Sequence, residues 1–69
     1  MDAIQRFAMN MKRTRKINNI SQDELAHRSG LHRTYIGSVE RGERNLTLRN
    51  AEVIAKALST TLAALVSND

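Results

Sequence analysis

Between Ser21 and Gly42 the chain marks its own helix ends, and this punctuation limits the fold more than any other feature. Ser21 followed three residues later by Glu24 is a capping box, a pairing that satisfies backbone donors left open in a first helical turn. Gly30 supplies the left-handed residue that commonly ends a helix, and Gly42 does the same for the next segment. Only Gly30, Leu31 and His32 separate the two segments. Two short helices joined by a glycine-containing turn of three or four residues match the helix-turn-helix arrangement.

The remaining residues fall into three further helical segments. Ile4, Phe7, Ala8 and Met11 recur at helical spacing and mark the buried stripe of a helix over 3–17. Lys12, Arg13 and Lys16 suit the negative end of its dipole, and Asn18 and Asn19 stop it. The central pair spans 22–29 and 33–41. Thr47 caps a helix over 48–58, with Leu48, Ala51, Ile54, Ala55 and Leu58 as its inner stripe. Ser59, Thr60 or Thr61 caps a last one over 61–66. No stretch alternates as a half-buried strand would. The expectation is one all-α domain of five helices across residues 1–69. With no cysteine in 69 residues, no disulfide or thiolate-bound metal staples so small a core. Tight helix packing, oligomerisation or both must stabilise it.

Charge placement narrows the partner. Residues 1–45 hold nine of the eleven Lys and Arg and five of the seven Asp and Glu, so the whole net charge of +4 falls there. A basic excess confined to one part of a domain favours a polyanion. No apolar run approaches the roughly 20 residues of a membrane span. The opening MDAIQRFAMN lacks the basic-then-apolar layout of a secretory signal. A cytoplasmic protein without membrane contact is expected. Catalysis is not: there is no cysteine, glycine-rich phosphate loop or suitable acid pair, and His27 and His32 fall in different elements. No cofactor or metal is implied.

The segment 33–41 carries the function-bearing surface. At about 100° per residue, Tyr35, Ile36, Val39 and Glu40 share one side, and Arg33, Thr34, Gly37, Ser38 and Arg41 the other. The second side has hydrogen-bonding groups and no large apolar residue. The glycine at its centre costs about 1 kcal/mol relative to alanine, which suggests that something approaches the backbone closely. A helix of this kind presents its N-terminal residues to base edges in a major groove. Arg33 can donate two hydrogen bonds to a guanine. Thr34 and Ser38 are other candidate base contacts, and His32, just before the helix, can touch either a base or a phosphate. Gln22, at the start of a helix, Tyr35, Arg44, Asn45 and Thr47 are candidate backbone contacts. Tyr35 also reads as core with a wet tip, and Arg44 as a minor-groove probe or a free surface residue. Glu40, at the edge of the inner side, wants a partner, and Arg15 is the candidate.

These residues form an ordered set: Ser21-Gln22-Asp23-Glu24-Leu25-Ala26 through Gly30, then Ile36 and Val39-Glu40-Arg41-Gly42. The set resembles the phage-repressor/Cro-like helix-turn-helix family, also called XRE, over about residues 4–66. Leu31 to Asn50, LHRTYIGSVERGERNLTLRN, is similar to the controller proteins of restriction-modification systems. The resemblance implies a five-helix lambda-repressor-like DNA-binding domain. It implies a phosphate contact for Gln22, base contacts for Arg33, Thr34 and Ser38, and backbone roles for Tyr35, Asn45 and Thr47. It also supports the Arg15–Glu40 pair. Thr14, Gly37, Ala51 and Val53 depart from residues common in that family, and His32 replaces an acidic residue found in some controllers.

One such module reads few base pairs, so a symmetric homodimer on pseudo-palindromic operator DNA is expected. Val53, Leu62, Leu65 and Val66 are its candidate interface, although Leu62 or Leu65 also reads as closing the monomer core. RNA polymerase stands as a further partner. The alternative to a controller protein is an antitoxin that represses a toxin-antitoxin operon with the same fold.

Overall fold

The computed structural model describes residues 1–43 and 46–68, which form five helices and no strand. Arg44 and Asn45, both expected to contact DNA, lie outside the described residues. The helices are α1 (Ala3–Ile17), α2 (Gln22–Ser29), α3 (Arg33–Glu40), α4 (Leu48–Ala57) and α5 (Leu62–Val66). Arg41 and Leu58, expected as last helical residues, are C-caps, and Thr61 is the N-cap of α5.

Local chemistry sets these ends. Asp2 and Gln5 form a reciprocal capping box at α1, with the Gln5 N–H donating to Asp2 Oδ1 at 2.8 Å. Asn19, at φ +57°, turns the chain towards α2. Ser21 Oγ accepts from the Glu24 N–H at 3.0 Å. The other arm expected of that box turns away: Glu24 Oε2 accepts from Arg28 Nε at 2.9 Å, one helical turn on. Gly30 adopts φ +74°, and its N–H closes α2 on the Ala26 carbonyl. Thr47 and Thr61 cap α4 and α5 through their hydroxyls.

The core gathers Phe7 and Met11 from α1, Leu25 from α2, Ile36 and Val39 from α3, Ile54 from α4 and Leu65 from α5. Helix α1 packs on α3 and α5, while α2 packs on α3 and α4. Two polar residues of α1 clamp the short last helix. Asn10 Nδ2 donates to the Leu65 and Ser67 carbonyls at 2.9 and 3.1 Å. Arg6 Nε donates to the Val66 carbonyl at 2.8 Å. Such carbonyls at a helix end have no partner within the helix.

Leu48 departs from its expected place on the inner stripe of α4, being 77% exposed. It is the first residue of the helix and lies at the edge of the stripe. With Ile4, Phe7, Leu46, Leu62 and Val66 it lines an apolar cleft of 120 Å³ where α1, α4 and α5 meet. No helix among the described residues is long and apolar enough to cross a membrane.

Candidate nucleic-acid interface

The angle between α2 and α3 is held from inside by one buried polar network. Arg15 Nε donates to Glu40 Oε2 at 2.7 Å and Arg15 Nη2 to Glu40 Oε1 at 3.0 Å. The two side chains are 10% and 3% exposed. Arg15 Nη1 donates to the Ile20 carbonyl at 3.0 Å, fixing the turn between α1 and α2. Gln22 Nε2 donates to Glu40 Oε1 at 3.1 Å, which brings α2 into the network. A buried charge pair adds little net stability over an apolar substitute, but losing one partner strands the other in a dry site.

Gly37 belongs to this arrangement rather than to an outer surface. It is buried. A methyl group there would lie 3.2 Å from Arg41 Nη1 and 3.8 Å from Gln22 Oε1. The close approach anticipated at this glycine comes from the protein's own side chains. Ser38 is likewise not part of the exposed set. It is buried, and its Oγ donates to the Tyr35 carbonyl at 2.8 Å. Because α3 packs on both α1 and α2, its covered face is wider than one stripe.

What remains open is the N-terminal end of α3. His32, Arg33 and Thr34 are all exposed there. His32 takes the N-cap position with an extended backbone and no side-chain cap bond. Arg33 Nε forms an ion pair with Asp23 Oδ1 at 3.0 Å across the turn. Tyr35 is half-buried against the core, and its Oη accepts from Asn50 Nδ2 at 3.1 Å. With the oxygen accepting, the hydroxyl proton is left to donate outward. Gln22 is half-buried at the start of α2, one amide N–H committed to Glu40 and the other uncommitted by that bond. Thr47 is exposed, and its oxygen caps α4. Arg41, also exposed, is bound to Glu43 Oε2 at 2.9 Å, and that hydrogen bond and charge raise its already high pKa.

Asn50 and Asp23 had no expected role. The signal for Asn50 was the need of a half-buried tyrosine hydroxyl for a partner. For Asp23 it was an exposed acid beside Gln22 at the start of α2. Of the residues expected between copies, Val53, Leu62 and Val66 are half-buried. Leu65, expected at an interface between copies, is 1% exposed and belongs to the monomer core. Leu48 takes its place among the apolar residues facing out.

Two short helices set at an angle, with donors projecting from the start of the second, define a DNA-binding helix-turn-helix domain. Residues 11–65 match the Helix-turn-helix family model HTH_3, and the chain belongs to this XRE-type family. It is 54% identical over 67 residues to Control protein C.SmaI of Serratia marcescens, covering 97% of this chain and 80% of that protein. The crystal structure of the restriction-modification controller protein C.AhdI from Aeromonas hydrophila superposes with a TM-score of 0.86 at 39% identity, covering 90% of this chain and 94% of that one. The C.Esp1396I controller tetramer, solved with its natural 35 base-pair operator, superposes at 0.82 with 36% identity, covering 86% of this chain and 78% of that one.

Glu40→Ala should cost about 3–5 kcal/mol, since it leaves the Arg15 guanidinium buried without its carboxylate. The paired change Arg15→Met with Glu40→Leu should cost much less. Urea denaturation followed by circular dichroism checks both.

Proposed function

We propose that this chain is a sequence-specific transcriptional regulator that binds operator DNA as a homodimer and serves as the controller protein of a restriction-modification system. The observation that carries this reading is the open N-terminal end of α3, where Arg33, Thr34 and His32 are exposed on a rigidly held helix. In a major groove, Arg33 would donate to guanine O6 and N7, and Thr34 would meet a neighbouring base edge. Gln22, the Tyr35 hydroxyl and Thr47 flank that end and would bind phosphates, which fixes the register of the helix without reading sequence. The kinship with C.SmaI and C.AhdI favours the controller role over an antitoxin.

The second copy is placed on the apolar side. Leu48, Leu62 and Val66 border the open cleft, and Val53 lies with Leu48, Arg49, Glu52 and Lys56 on the outer face of α4. A two-fold dimer through this side would present two α3 helices to half-sites about 34–36 Å apart. Such a regulator acts in the cytoplasm, and where it activates rather than blocks a promoter, RNA polymerase is the partner it must touch.

Sites selected from random DNA should show two-fold symmetry. Arg33→Ala should weaken operator binding by about 1–3 kcal/mol and relax preference at one base of each half-site. Wild-type binding should fall steeply with salt as counterions are released. Unchanged preference in Arg33→Ala would contradict the reading. Leu48→Glu, at an exposed position, should leave the helical spectrum intact and shift sedimentation from dimer to monomer.

A further inference from the structure

We propose that Asp23 is a specificity-determining residue that positions Arg33 for guanine and turns it away from phosphate, an inference that rests on the DNA-reading role of α3. Asp23 is the second residue of α2 and Arg33 the first of α3, so their ion pair spans the turn of the motif. Asp23 Oδ1 lies 3.0 Å from Arg33 Nε, with the side chains 79% and 63% exposed. A pair so open to water does little for stability. The acid also sits beside Gln22, on the edge offered to a polyanion, where it works against general affinity. Its contact is with Nε, the donor nearest the chain. A guanidinium has five donors, so one contact at Nε does not exhaust those it can offer to a base.

The chemistry of the two targets differs. Guanine O6 and N7 accept two N–H donors and carry no formal charge, so a carboxylate behind the guanidinium is tolerated. A phosphate also accepts two donors but is an anion, and Asp23 repels it. Without Asp23, Arg33 has all five donors free and a wide choice of rotamers, and it binds any backbone oxygen within reach. Asp23 therefore lowers binding to random duplex more than binding to operator.

The test measures Asp23→Asn on a selected operator duplex and on a shuffled duplex, in the wild-type and Arg33→Ala backgrounds. Asparagine removes the charge at nearly constant shape, and the Ser21 cap of α2 is untouched. Asp23→Asn should bind the shuffled duplex about tenfold tighter and the operator little changed, so the operator-to-shuffled ratio should fall about tenfold, the scale of one base contact. In the Arg33→Ala background the same change should shift both duplexes by one factor and leave the ratio alone. A wild-type ratio in Asp23→Asn overturns the proposal. So does an equal fall of the ratio in the Arg33→Ala background, which would assign the effect to surface charge alone. If Arg33→Ala itself keeps the full ratio, the DNA-reading role of α3 fails and this proposal with it. A lowered ratio in Arg33→Ala together with an unchanged one in Asp23→Asn removes only the role of Asp23.

Discussion

The Arg15–Glu40 pair is the constraint on which the rest of the molecule depends. It ties the end of α1 to the end of α3, and through the Ile20 carbonyl and Gln22 it also fixes where α2 begins. Removing both charges from water is expensive, and the network meets that cost by giving the Glu40 oxygens three donors. Apolar packing alone would let two short helices settle at several angles. Directed hydrogen bonds select one, and with it the distance between the N-termini of α2 and α3. A methyl group at Gly37 would crowd Arg41 Nη1 at 3.2 Å and meet Gln22 at ordinary contact distance.

The two ends of the domain are built by different means. The polar end is held from within, and its surface ion pairs contribute little to folding. Arg33 is held there only by an exposed ion pair, which suits a group that exchanges water for a charged duplex. The apolar end relies on α5, only five residues long, which could not persist in isolation. Asn10 and Arg6 supply donors to its last carbonyls and keep Leu62 and Val66 beside the cleft. The internal clamp thus supports the face assigned to the second copy.

Helix ends were legible in the sequence because they are written in side chains that act locally: Ser21, Gly30, Thr47 and Thr61 stop or start helices without tertiary help. The buried stripe of α1 and the core role of Ile36 and Val39 followed from period. Pattern failed where tertiary packing decided. Ser38 and Gly37 share a helical side with Arg33, but α3 is flanked by two helices, so that side is covered along its second half. Leu48 fits the inner stripe of α4 by angle, yet the first turn projects past the core. Leu62, Leu65 and Val66 give the last helix more apolar surface than a terminus needs, which suits either a partner or the monomer core, and Leu65 is the one that seals the core. Asp23 and Asn50 are harder to find because their contacts cross from one helix to another and both residues are exposed enough to be satisfied by water, whereas Glu40, at the edge of a buried side, demands a partner.

The central claim, that the exposed start of α3 enters a duplex, is tested most directly by titrating labelled protein with operator DNA at low salt and following backbone amide resonances. Gln22, Arg33, Thr34 and Tyr35 should shift most, and Leu48 and Val66 should not respond to DNA once the dimer has formed. Shifts concentrated instead on the outer face of α1, around Met9, Lys12 and Lys16, with the start of α3 unmoved, would contradict it.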